Sequence, residues 1–369
     1  MKTQTNDTSP TAAGQRSDRI DEAKLHAFMN RAIADLAGGY GGVMVSLGRQ
    51  LGLYEVMANA GPLSSHEVAA RAGCAERYVR EWLNSQVAGG YLEFHPESRT
   101  YELLPEQALV LADKHSPAYI APAGEVPASM WADQPKVIEA FRTGKGVPWG
   151  DHDGRLYCGV AAFYRNGYRK QLVPEWLPAL DGVVEKLKAG GRVADIGCGH
   201  GHSTVLMAGA FPNSRFYGFD PHGDSVFAAR ENAREAGVSD RVEFAIGTAK
   251  TVALRGLDLV CFFDCLHDLG DPVGAAIHAR EALAEDGTLL VVEPLARDRV
   301  EENINPISRM YYSASTTLCC AHSLSEEVGL ALGAQAGESR LEQVFREAGF
   351  TRVRKAMETP FNLILEVRP

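Results

Sequence analysis

Gly191-Arg192-Val-Ala-Asp195-Ile-Gly197-Cys-Gly199-His-Gly201-His-Ser-Thr204 is the stretch on which the reading of this chain turns. Arg192 to Ile196 has the length and apolar content of a strand, and Ser203 to Ala210 reads as a helix. Between them glycine stands at every second position, so the backbone can turn tightly and a ligand can approach without meeting a β-carbon. Outward from this loop the pattern repeats. Arg215–Phe219, Val242–Ile246, Leu257–Phe263 and Thr288–Val292 read as strands, and Asp224 to Ala236 as a helix between the first two. Such alternation predicts an α/β, Rossmann-like parallel sheet with helices on both faces. At the end, Arg352–Ala356 and Phe361–Val367 are separated only by a short loop around Pro360. A parallel crossover needs a dozen or more residues, so the last strand is expected to run antiparallel.

The loop has spacing G-x-G-x-G, not the dinucleotide G-x-G-x-x-G, and Asp195 stands two residues before its first glycine. A carboxylate there repels a pyrophosphate and attracts a cation. The ammonium and sulfonium of S-adenosylmethionine fit that charge. Asp220, followed by Pro221, ends the next strand, where an acid can accept hydrogen bonds from a ribose diol.

On these residues, positions 185–369 resemble class I S-adenosylmethionine-dependent methyltransferases. The resemblance implies a seven-stranded sheet with its last strand antiparallel. It also implies that Asp195, Gly197, Gly199 and Gly201 hold the methionine part and Asp220 with Pro221 the ribose. The turn Gly247-Thr248-Ala249 would cup the adenine, where many members have Gly-Asp-Ala, so Thr248 offers a hydroxyl in place of a carboxylate. Asp264 and Cys265 are expected at the junction of cofactor and substrate, and Tyr168 over the cofactor. The product would be S-adenosylhomocysteine.

The N-terminal half has another logic. Residues 1–18 are polar, with Pro10 and Gly14, and are expected to form a disordered tail. Leu25, Phe28, Met29, Ala32, Ile33 and Leu36 have helical spacing, a break is expected at Gly38-Gly39, and a second helix through Val43 to Met57. Ser64 and Glu67 make a capping-box pattern, Arg77 to Val87 reads as a longer helix, and Tyr91–Phe94 with Thr100–Leu103 as a hairpin. Helix, turn, helix, hairpin is the order of a winged helix, giving a mainly α module over 19–113 and a proline-interrupted helical connection over 114–184. Six glutamates against four arginines in residues 60–104 argue against a grip on DNA phosphates. With Leu51-Gly-Leu-Tyr-Glu55, Val147-Pro-Trp149, Phe262-Phe-Asp264-Cys-Leu-His267-Asp-Leu and Ala348-Gly-Phe350, the whole resembles natural-product O-methyltransferases and related bacterial winged-helix methyltransferases. That resemblance implies a homodimer formed through the N-terminal domain.

Methyl transfer requires alignment and, for a hydroxyl, removal of a proton. His267 follows the fourth core strand at the edge where α/β ligands bind and is the candidate general base. Asp268 is its neighbour, but adjacent residues seldom face each other. Trp149, Tyr311, Cys319 and His322 are candidate substrate-wall residues. No metal is expected, since no cluster has the spacing of a closed site.

The expected activity is methyl transfer to a small, partly apolar molecule, at oxygen, with nitrogen and carbon acceptors as alternatives. The rival classes are a ligand-sensing transcriptional regulator and a non-methylating enzyme that uses the sulfonium electrostatically. The net charge of −10 argues against a broad basic surface for nucleic acid. The absence of a long apolar run leads to an expected cytoplasmic location without membrane contact. The seven cysteines lack a framework spacing and are expected as buried thiols.

Overall fold

The computed structural model describes residues 20–369, so the tail expected over 1–18 lies outside the described residues. The first helix, Glu22–Gln50, is opened by Asp21, whose carboxylate accepts the Lys24 N–H at 3.1 Å. The expected break at Gly38-Gly39 and the second helix from Val43 are corrected here: the helix continues to Gln50, turns at Gly52 and gives a short helix, Leu53–Met57. A glycine costs a helix only about 1 kcal/mol, and contacts beyond the glycines hold this one. Ser46 and Arg49 both bind Glu125, at 2.8 and 2.5 Å. Gly48 lies so close to Trp82 that a β-carbon would come within 2.5 Å of its ring.

The capping box forms as the spacing predicts, with Ser64 and Glu67 bonded reciprocally at the start of helix Ser65–Ala72. Helix Glu76–Ala88 follows, then the antiparallel pair β1 (Glu93–His95) and β2 (Thr100–Glu102). Tyr54, Met57, Leu83, Leu92 and Tyr101 close the core of this module. The Tyr54 hydroxyl donates to buried Gln86 at 2.6 Å, satisfying both polar groups.

Two longer helices, Glu125–Thr143 and Arg155–Gln171, connect this module to the sheet. The second, through Tyr168, and the π-helical turn Leu172–Trp176 that follows it, through Leu172 and Trp176, share a core with Phe216, Leu259 and Phe263. The sheet comprises β3 (Arg192–Ile196), β4 (Arg215–Asp220), β5 (Val242–Ile246), β6 (Leu257–Phe263), β7 (Leu283–Pro294), β8 (Arg352–Glu358) and β9 (Asn362–Arg368). Its order is β5-β4-β3-β6-β7-β9-β8; β3 to β7 pair in parallel and β9 runs antiparallel to both its neighbours. The direction of strand addition reverses at β3. The carboxyl ends of β3 and β6 therefore flank the crevice where open α/β sheets bind ligands.

All seven cysteines are free, but only Cys198, Cys261 and Cys319 are buried, whereas Cys158 is exposed. The expectation of uniformly buried thiols is thus corrected, because Cys158 falls on the outward face of helix Arg155–Gln171. No described helix is long and apolar enough to cross a membrane.

Candidate active site

The loop after β3 is built by three left-handed glycines, Gly197 (φ 71°), Gly199 (φ 52°) and Gly201 (φ 71°), a conformation that penalises any side chain. Two of them are also pressed against protein. A β-carbon at Gly197 would lie 2.8 Å from the Cys265 sulfur, and one at Gly201 2.5 Å from the Phe244 ring. At Gly199 a β-carbon would meet no protein atom within 4 Å, so this is where the backbone is open to a ligand. The N–H groups of Gly197 and Cys198 donate to the Phe219 carbonyl, at 2.8 and 3.0 Å, which ties the loop to β4.

Asp195 is fully buried at the end of β3. One carboxylate oxygen accepts the hydroxyls of Ser203 and Thr204, both at 2.6 Å, at the start of helix His202–Ala210. The other oxygen, Oδ1, is buried without a partner, a costly condition that a bound cation would relieve. Burial raises the acid's pKa, against the two hydroxyls, to about 6. Asp220 accepts the Gly199 and His222 N–H groups, both at 2.9 Å. Burial raises its pKa as well, and these backbone bonds oppose the rise.

Thr248 lies beside Asp220, because Ile246 pairs with Asp220 and Gly247 donates to the Asp220 carbonyl at 3.1 Å. Thr248 is itself exposed and its hydroxyl bonds Thr251, whereas Ala249 is buried; Pro221 is exposed. Tyr168 stacks on Tyr164 at 5.8 Å and meets Phe263 at the end of β6. A buried carboxylate oxygen without a partner, an open glycine and a second acid one strand away together suit a cationic nucleoside. The chemistry of this donor set fits S-adenosylmethionine.

Beside this loop, the turn after β6 carries a second constellation. Asp264 takes a left-handed φ of 50° without being glycine, which costs of order 1–2 kcal/mol. Its N–H donates to Val292 at 2.7 Å, and one carboxylate oxygen accepts the Asn362 amide at 3.1 Å while the other is buried without a partner. Burial first and the Glu293 charge second hold its pKa well above the carboxylate range. The Cys265 thiol donates to the Ile196 carbonyl at 3.1 Å and backs onto Gly197, so the two turns touch.

His267 sits in a short 3₁₀ turn, Leu266–Asp268. Its Nδ1 contacts the Glu293 carboxylate, whose second oxygen accepts the Leu266 N–H at 3.0 Å. Its Nε2 lies 3.2 Å from Asp268. The expectation that adjacent residues would not face each other is corrected here, because the tight turn brings ring and carboxylate together. Burial pulls the His267 pKa down, but the Glu293 and Asp268 charges outweigh it and raise it well above the usual histidine value.

Glu293 was not a candidate from sequence. Its signal was a lone acid closing the apolar run Leu289–Val292, since a buried carboxylate at a strand end requires a partner.

Of the expected wall residues, Cys319 joins His267 and Asp268, with a ligand atom of each within 4.8 Å of the others. Tyr311 is buried and donates to the Phe361 carbonyl at 3.3 Å. It shares a cluster with Cys319, Leu318 and Leu156, against which Trp149 packs. His322 accepts the Trp149 N–H at 3.1 Å and lies beside its ring.

Family models match residues 39–113 as an Rv2258c-like winged helix–turn–helix domain and residues 187–349 as a methyltransferase domain. No curated protein matches the chain. Among solved structures, the mitomycin 7-O-methyltransferase is similar at 20% identity with a TM-score of 0.67, covering 95% of this chain and 100% of that one. Human N-acetylserotonin methyltransferase, in complex with S-adenosylmethionine, is similar at 18% identity with a TM-score of 0.63, covering 95% and 99%. An O-methyltransferase from neocarzinostatin biosynthesis, in complex with S-adenosylhomocysteine and 1,4-dihydroxy-2-naphthoic acid, is similar at 20% identity with a TM-score of 0.61, covering 92% and 98%. At these identities the structures support the fold, and the two domain matches carry the family. With its seven-stranded sheet, its glycine loop and the two matched domains, the chain belongs to the class I S-adenosylmethionine-dependent methyltransferases that carry an N-terminal winged helix.

Proposed function

We propose that this methyltransferase acts on a hydroxyl of a small, partly apolar acceptor, with His267 as general base and Glu293 as its positioning partner. The observation that carries the reading is the buried His267–Glu293 contact at the carboxyl edge of β6 and β7, adjoining the glycine loop through Cys265. When bound, S-adenosylmethionine supplies an electrophilic methyl group on a sulfonium. In this reading Asp195 receives its ammonium, Gly199 lets its chain lie against the backbone, and Asp220 accepts from the ribose hydroxyls. With its Nε2 proton first released to solvent, against its raised pKa, His267 takes the acceptor's proton at Nε2, and the Glu293 carboxylate at Nδ1 stabilises the imidazolium that forms. Asp268 turns aside as the acceptor hydroxyl takes its place at Nε2. Tyr164, Tyr168, Tyr311 and Trp149 would supply an aromatic wall for the acceptor, which favours a planar, hydroxylated ring.

The winged helix reads as a dimerisation module. Helix Glu22–Gln50 leaves Phe28, Leu36 and Tyr40 more than 60% exposed, apolar area that a second copy would cover. Sedimentation of the full chain is expected to show a dimer, and Phe28→Glu with Tyr40→Glu a monomer.

The function is tested by transfer of a labelled methyl group to phenols and to arylamines of the same ring frame. Label is expected in the aryl ether. Label confined to nitrogen overturns the oxygen assignment.

A further inference from the structure

His267, Asp268 and Cys319 come from two segments separated by 50 residues or more, yet one ligand atom of each lies within 4.8 Å of the other two. They combine a nitrogen, an oxygen and a sulfur donor, the set that borderline-soft divalent ions take up. Tetrahedral zinc, with bonds of about 2.0–2.3 Å, needs its donors roughly 3.5 Å apart, and His267 Nε2 to Asp268 Oδ1 is already 3.2 Å. Cys319 Sγ lies within 4.8 Å of both.

Two further observations point to a ligand here. Asp268 Oδ1 is buried and, although 3.2 Å from His267 Nε2, makes no well-aligned hydrogen bond. His267 is clamped through Nδ1 by Glu293, itself fixed by the Leu266 N–H. A carboxylate on the far nitrogen is the arrangement that sets the tautomer and orientation of a metal-ligating imidazole. Cys319 is the last residue of a π-turn, Ser315–Cys319, a departure from α geometry that often accompanies a functional position. Cys320 forms no part of this set; its sulfur lies 3.5 Å from the Ser315 hydroxyl.

We propose that His267 Nε2, the Asp268 carboxylate and Cys319 Sγ form a site for a divalent ion of the zinc class, and that an ion bound there switches methyl transfer off. On binding, the hydrated ion gives up water, the Cys319 thiol proton and any proton on His267 Nε2 pass to solvent, and bonds form from the ion to nitrogen, oxygen and sulfur. No oxidation state changes. The inhibitory half rests on the proposed function, because the ion occupies the lone pair that would take the acceptor's proton; the binding half does not.

The test uses full-length protein stripped with chelator and titrated with Co²⁺, without acceptor or cofactor. The wild type is expected to develop a thiolate-to-cobalt charge-transfer band that Zn²⁺ bleaches. Cys320→Ser and Cys158→Ser are expected to keep the band and Cys319→Ser to lose it, while Cys319→Ser still binds S-adenosylmethionine as a sign of folding. Glu293→Gln should weaken binding about 10–100-fold. Absence of the band in the wild type, or its survival in Cys319→Ser, overturns the site. The inhibitory half predicts that Zn²⁺ suppresses turnover in the wild type with much lower potency in Cys319→Ser; equal potency in the two overturns that half. Full turnover by stripped His267→Gln would overturn the general-base reading alone, since the cobalt band is read without any acceptor.

Discussion

The turns after β3 and β6 leave neighbouring parallel strands at the same edge of the sheet and touch at Gly197 and Cys265, yet they are built on opposite terms. After β3 the left-handed positions are all glycine, and Asp195 finds its hydroxyl partners eight and nine residues on. After β6 the left-handed position is Asp264, and the partners lie far away in sequence, Glu293 on β7 and Asn362 on β9. A cofactor shared across a family is met by a local, self-contained loop. In the proposed reading, an acceptor particular to one enzyme is met by side chains that only the folded sheet assembles, at a strained non-glycine turn, while each of the two turns leaves one carboxyl oxygen unpaired.

The contrast is broken most severely within the glycine loop. Gly201→Val places a branched side chain at positive φ against Phe244 and should cost about 3 kcal/mol or more, read as a lowered denaturation midpoint. Gly199→Ala, with open space around it, should cost only about 1 kcal/mol and act chiefly on cofactor affinity. Equal losses at the two positions would remove the distinction drawn between them.

Next in size is Asp195→Asn. Loss of a charge-assisted bond to the cofactor's ammonium should weaken binding roughly 10–100-fold by calorimetry. The same charge gives a pH dependence. With its pKa raised to about 6, Asp195 is neutral below that pH and ionised above it. Cofactor affinity should therefore fall as the pH drops through about 6, by up to roughly tenfold per unit, and this component should vanish in Asp195→Asn. A flat profile in the wild type would show that the ammonium does not meet this acid.

The smallest effect sharpens the contrast from the other side. Asp264→Asn retains a residue that tolerates left-handed backbone and can accept from Asn362, while removing a buried acid with an unpaired oxygen. Stability at neutral pH should rise by about 1 kcal/mol while methyl transfer falls. A loss of stability would mean that the Asp264 carboxyl is compensated in the free protein.

This division also explains what could be read before the fold was known. The loop at 197–201, its two acids and the antiparallel last strand were legible because each rests on chemistry within a few residues or on the length of one connection. The length of the first helix is not legible in the sequence, because glycine propensity at Gly38-Gly39 is a local quantity, whereas Glu125 and Trp82, which hold the helix beyond it, lie in other segments. Glu293 escaped for a similar reason. It meets His267 only because β6 and β7 are neighbours in register, and 26 residues separate them. Cys319 reaches the same point through a π-turn that composition does not announce.

The direct test of the dyad is single-turnover methyl transfer to a phenolic acceptor by the wild type and His267→Gln, with cofactor affinity measured alongside. A base acting in the transition state predicts a chemical step slowed about 10²–10⁴-fold and an unchanged dissociation constant for S-adenosylmethionine. An unchanged rate for the chemical step in His267→Gln would contradict it.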